Sequence, residues 1–339
     1  MAFCSGIFWP EFKKSLIYEI RKNYPLADIV SYLPLDTPRN ARKFIRMVHP
    51  EKAFFIKYEY WYFYISELKK HEIPLYLISS VFRENQPFFK KNICGRWYHK
   101  ILFQTEHFFV QDEKSAELLS SAGIHNFSIS GDTRFDRVAA IAKSSKKVPV
   151  VEKFRNHFPL IVAGSTWKPD EEILAAFINK SNTIKMIVAP HEVSETNINR
   201  LQQMLKKPAA RFSEAGKTPI EKIQVLLIDS IGMLSSLYRY GNIAYIGGGF
   251  GVGIHNILEP ATFGLPVVFG PNYTKFKEAV ELISLGGAFP VHNFKEFEIT
   301  LKNLWGDPTL LKDSSNVSKK FVEKNVGSTN LIIRKVFNK

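Results

Sequence analysis

The stretch GGGFGVGIHNILEP, Gly247–Pro260, puts five glycines into its first seven residues, and a histidine, an asparagine and a glutamate come next. Glycine loses more backbone entropy on folding than any other residue, so such a run needs a reason. Bare backbone lets N–H groups approach an anion closely, and a helix opening near His255–Leu258 adds its positive end. Glu259 on that helix has the chemistry to accept hydrogen bonds from two adjacent hydroxyls, such as those of a ribose. A tight strand-to-helix turn packed through its glycines accounts for the same pattern. A dinucleotide fingerprint does not fit: the third glycine of G-x-G-x-x-G is absent, and the next strand, LPVVFGPN, ends without the acidic residue that motif expects.

Two further residues stand out. Glu59 in KYEYW sits among aromatic residues, where a carboxylate is costly unless it is paired, exposed at an edge or functional. Arg134 in GDTRFD comes just after a strand, where a guanidinium either forks onto a carboxylate or phosphate or pairs with Asp132 or Asp136 at the surface. No Cys/His cluster has zinc spacing, so no metal or cofactor is expected. The basic, aromatic segment 83–103 suits packing or a lipid surface and carries no nucleic-acid-binding signature.

The elements that would position these residues alternate along the whole chain. Thr37-Pro38 opens a helix, a capping residue with proline at the first helical position. ADIVSYL (27–33), AFFIKYEYW (53–61), PLYLISSVF, HFFVQD and FSISGD read as strands, with helices over 62–71 and EKSAELLSSAG. After a charged, Pro-containing link, LIVAG, IKMIVAP, IQVLLID, NIAYIGG, LPVVFG and GAFPV form a second series, and Ser315–Lys339 reads as one closing helix. Strands apolar on both faces imply parallel sheets covered by helices, an α/β doubly wound class. The boundary is expected near Lys146, giving Rossmann-like domains over 1–146 and 147–339 that face a cleft.

In such sheets ligands sit at the carboxyl ends of strands. There stand Ser165-Thr166-Trp167, His191-Glu192, Ser230–Leu234, the glycine stretch and Pro271-Asn272.

A hydrophobic share of 45% over 339 residues supports a sizeable core and excludes wholesale disorder. Two cysteines, Cys4 and Cys94, make no disulfide framework and suit a reducing compartment. No apolar run reaches the ~18 residues of a membrane-spanning helix, and the opening MAFCSGIFWP lacks the basic start of a signal peptide. The net charge of +14, spread over both halves, suits an anionic partner or a merely soluble basic surface.

The segment GGGFGVGIHNILEPATFGLPVVFGPNYTKFKEA, together with AGSTW, APHE, DSIGML, GDTRFD, KYEYW and RKNYPLADIVSYLPLDT, resembles the 3-deoxy-D-manno-octulosonic acid (Kdo) transferases, the lipid A glycosyltransferases. The resemblance runs from about Ser15 to the C-terminus. It implies a two-domain GT-B fold, metal-independent inverting transfer from CMP-Kdo and a lipid A precursor as acceptor. It also implies work at the cytoplasmic face of the inner membrane, on an anionic surface, without nucleic acid. Pro190-His191, Gly232-Met233-Leu234 and Asn256-Ile257-Leu258-Glu259 match the segments that hold CMP, and Glu59 and Arg134 match positions of transition-state stabilisation. The usual pattern has Arg at His191 and Glu at Met233. Residues 1–14 do not match, and the family's general-base glutamate is not found, so the N-terminal domain is expected to be incomplete. The alternative expectation is a non-catalytic CMP-binding relic.

Overall fold

Strands that are apolar on both faces bury both faces only inside a helix-covered parallel sheet. The computed structural model describes residues 24–90, 92–217 and 219–337, and its strands form two such sheets. The expectations for residues 1–14 lie outside the described residues. The chain divides into two compact units, Met1–Thr133 with Gly327–Lys339, and Arg134–Val326.

In the first unit β1 (Ala53–Ile56), β2 (Leu75–Ser80), β3 (His107–Val110) and β4 (Phe127–Ile129) pair in parallel in that order. The helix Pro38–Val48 starts as expected, with the Thr37 side chain accepting from the Asn40 N–H. Residues 27–33 form no strand, and Ile29 is 73% exposed. A strand needs a paired neighbour, and β1 is the edge of this sheet among the described residues. The strand expected over 53–61 stops at Ile56, because Lys57 turns into the left-handed region at φ +59°. Beyond it, Tyr60 stacks obliquely on Phe88 at 4.5 Å, so these aromatics serve a loop-borne cluster and not a strand.

In the second unit β5 (Leu160–Thr166), β6 (Lys185–Pro190), β7 (Ala209–Arg211), β8 (Val225–Leu227), β9 (Ile243–Ile246), β10 (Val267–Phe269) and β11 (Ala288–Pro290) form one parallel sheet. Its order is β11-β10-β9-β5-β6-β8-β7. Along β5, Leu160 and Val162 enter one apolar core while Ile161 and Ala163 enter another on the opposite face. Each fully buried Val, Leu or Ile contributes about 1.5–3 kcal/mol. Lys146 falls inside this unit, after the helix Thr133–Ser144. The link there is tied down where the Val148 N–H donates to the Tyr240 hydroxyl at 2.6 Å and Arg239 donates to the Ser145 carbonyl at 2.9 Å.

The expected closing helix is two helices, Pro308–Asn325 and Ser328–Phe337, separated at Gly327 with φ +125°. The second returns to the first unit, where Ile332 and Val336 pack with Phe109, and Phe337 stacks on Phe54.

Candidate functional site

The seven-stranded sheet places β6 on one side of β5 and β9 on the other. The chain thus reverses the direction in which it adds strands, and the crevice at the carboxyl ends of β5 and β9 is where open α/β sheets take ligands. The end of β5 is bulged: the register with β6 shifts between Gly164 and Thr166, and Ser165 adopts φ +54°. A left-handed non-glycine residue costs about 1–2 kcal/mol, and such bulges re-aim the neighbouring side chains.

The side chain re-aimed here belongs to Trp167. Its indole Nε1–H donates to His255 Nε2 at 3.0 Å, across the crevice from the loop after β9. The two rings lie 11° from coplanar, and His191, from the end of β6, stacks on both, at 4.6 Å from Trp167 and 4.5 Å from His255. Burial, together with the neighbouring His191, pushes the His255 pKa below its usual range. Neutral His255 is therefore the form that accepts the indole proton.

The glycine run acts largely inside the protein. The N–H groups of Gly247, Gly251, Gly253, Ile254 and His255 all donate to backbone carbonyls, and that of Gly248 donates to Asp170 Oδ2 at 2.9 Å. A Cβ on Gly247 would strike the Ser165 carbonyl, and one on Gly249 would lie 2.6 Å from Gly270 Cα. These glycines let the loop after β9 touch the bulged end of β5 and the loop after β10. This corrects the expectation of a row of free amides aimed at an anion.

Asp170 ties the arrangement together. Its Oδ2 also accepts from the Trp167 N–H at 2.9 Å, and Oδ1 accepts from the Tyr245 hydroxyl at 2.7 Å. Burial pushes its carboxyl up and these donors pull it back. Sequence reasoning missed Asp170. Its signal was local: a proline one residue into the helix Lys168–Lys180 and an acid at the third position, the pattern of a capped start.

The helix after the glycine run spans only Leu258–Thr262, starting later than His255. Asn256 is exposed; its Oδ1 accepts from the Leu258 N–H at 3.2 Å and its Nδ2 donates to Glu259 at 3.2 Å. Burial raises the Glu259 carboxyl, offset in part by the Asn256 amide and by Arg137. Ile257, Leu258 and Pro190 are buried. Gly232 is exposed at φ +90°, Met233 lies beside the Ser230 hydroxyl at 3.1 Å, and Leu234 packs against Gly164.

Arg134 opens the helix Thr133–Ser144 and pairs with Glu278 at 2.7 Å, a partner 144 residues away. Asp132 meets Lys57 at 3.1 Å within the first unit. Glu59 belongs to the first unit, past the end of β1 and half-buried, with the Trp61 indole at 3.4 Å. The structure thus gathers His191, Leu234 and Asn256–Glu259 on one sheet edge, while Glu59 sits in the other unit.

Residues 17–137 match the family model for 3-deoxy-D-manno-octulosonic-acid transferase. The chain is 27% identical over 304 residues to the transferase of that name from Rickettsia prowazekii, covering 87% of this chain and 65% of the relative. It is 28% identical over 286 residues to that of Aquifex aeolicus, covering 82% and 72%. This chain is similar to the Kdo transferases over most of its length. It spans about two thirds of the length of these Kdo transferases. The fold is GT-B-like: the UDP-GlcNAc 2-epimerase from Neisseria meningitidis superposes with a TM-score of 0.62 at 13% identity, covering 89% of this chain and 80% of that one. Among the described residues no helix is long and apolar enough to cross a membrane.

Proposed function

We propose that the chain is a glycosyltransferase of lipopolysaccharide biosynthesis that moves Kdo from CMP-Kdo to a lipid A precursor with inversion, using protein groups alone. The observation that carries this reading is the meeting of His191 with the loop bearing Asn256 and Glu259 at the topological switch point. Those are segments that the family resemblance gives to CMP. Glu259 is built to accept from the two ribose hydroxyls, exchanging the Asn256 amide for them.

In the reaction an acceptor hydroxyl oxygen bonds to the anomeric carbon of Kdo. The bond from that carbon to the phosphate oxygen breaks, and CMP leaves with the electron pair. The hydroxyl proton passes to a base. Arg134 turns from Glu278 to the phosphate as negative charge grows there, and the resemblance gives Glu59 the positive charge of the sugar. The lipid acceptor puts the enzyme on an anionic membrane surface, where each nearby Lys or Arg adds about 1 kcal/mol.

Incubating the chain with CMP-Kdo and a lipid A precursor, and tracking the lipid by mass spectrometry, tests the reading. The expected result is a lipid heavier by one or more Kdo units, with CMP released in equal number. CMP binding without any modified lipid identifies the non-catalytic alternative instead.

A further inference from the structure

We propose that His255 donates its Nδ1–H to the phosphate of the bound nucleotide, and that Trp167 is the positioning residue that fixes the tautomer able to do so. The proposal rests on the reading of this edge as a CMP site. Indole nitrogen is a donor only, so the 3.0 Å contact obliges His255 Nε2 to accept. A neutral imidazole carries one proton, which then sits on Nδ1. Among the described residues the structure gives the His255 side chain no other hydrogen-bond partner, although the ring is half-buried and clamped. His191 covers it at 4.5 Å, and the Nε2–Cδ2 edge of His255 lies over Gly248, where a Cβ would sit 3.1 Å from Cδ2. The ring cannot turn its free N–H inward without breaking the indole bond.

The identity of the ligand atom comes from complementarity. Glu259, four residues on, is an acceptor and suits hydroxyls; His255 is a donor and suits an oxygen that only accepts. A nucleoside monophosphate carries such oxygens one sugar away from its ribose hydroxyls. A neutral donor orients the phosphate and leaves the stabilisation of its growing charge to Arg134.

Isothermal titration of the full chain with CMP and with cytidine tests this. The His255→Phe variant keeps a ring beneath His191 and is expected to weaken CMP about tenfold, or ~1.4 kcal/mol, while leaving cytidine within about twofold. Equal weakening of both ligands, or of neither, overturns the phosphate contact. If the unsubstituted chain binds no CMP, the underlying reading falls with it; if it binds CMP and His255→Phe is indifferent, only the present proposal falls. Imidazole ¹⁵N spectra give an independent readout. His255 is expected to be the Nδ1-protonated tautomer in the unsubstituted chain and a mixture in Trp167→Phe, which keeps the stack without the indole N–H. An unchanged tautomer in that variant overturns the role of Trp167.

Discussion

Asp170 offers the sharpest test of how the crevice is held. One oxygen takes two backbone N–H groups, of Trp167 and Gly248, each at 2.9 Å, and the other takes the Tyr245 hydroxyl at 2.7 Å. The residue is 1% exposed, so water cannot replace its carboxylate. Asp170→Ala orphans three donors at once. Each buried unsatisfied donor costs about 1–3 kcal/mol; the hydroxyl rotates to limit its share, leaving roughly 4 kcal/mol. For a unit of this size that is about 8–16 °C in unfolding midpoint. Asp170→Asn is different. With its oxygen facing the two amides and its NH₂ facing Tyr245, the hydroxyl becomes the acceptor and all three contacts survive, so the cost falls to about 1 kcal/mol. Burial holds the Asp170 carboxyl above its ordinary value of 3.8, so its ionisation works against the fold as pH rises from there through the folded-state value; the Asn variant lacks that slope. Differential scanning calorimetry at several pH values reads both effects. Equal destabilisation by Ala and Asn refutes the reasoning, because it makes charge, not donor geometry, the property that matters.

Gly249→Ala would put a methyl 2.6 Å from Gly270 Cα and should cost about 1–3 kcal/mol, whereas Gly251→Ala meets nothing nearer than 3.6 Å and should be silent in the same melt. Arg134→Met should lower kcat/KM for Kdo transfer about 100-fold, consistent with loss of one charge-stabilising group, and should also lower the unfolding midpoint, because it removes the partner of Glu278, whose side chain is only 11% exposed. His107 is pushed down to about 4 by burial and by nearby Lys335. The fold holds this group neutral, so stability is present above the unfolded value of 6.5 and is lost as pH falls from there toward 4. His107→Gln should lose less of its unfolding midpoint than the unsubstituted chain between pH 7 and pH 5.

The parallel sheets were legible because their strands carry apolar residues on both faces, and the helix at Pro38 because a cap announces itself within four residues. Elements decided by distant partners were not. KYEYW has the β-propensity of a strand, yet Tyr60 packs on Phe82 and Phe88 from another segment, and Lys57 has already turned the chain. The three-residue β7, Ala209–Arg211, exists only because β8 pairs with it. Arg134 announced an anionic partner, and one carboxylate it meets, Glu278, is 144 residues away, beyond what spacing can show.

The glycine run shows why local chemistry left two readings open. A missing Cβ serves equally to admit a ligand or another stretch of backbone, and only the fold says which. Here Gly247 lies against the bulged end of β5 and Gly249 against the loop after β10. Yet the packing reading does not displace the functional one. Because β5 and β9 are neighbours at the switch point, the close approach of their loops is what brings Trp167 within 3.0 Å of His255. A side chain at either glycine would force the loops apart by about an ångström, and a hydrogen bond lengthened that far is no longer one. In the proposed site the bare backbone would therefore act on a ligand at one remove, by closing the frame that aims the imidazole.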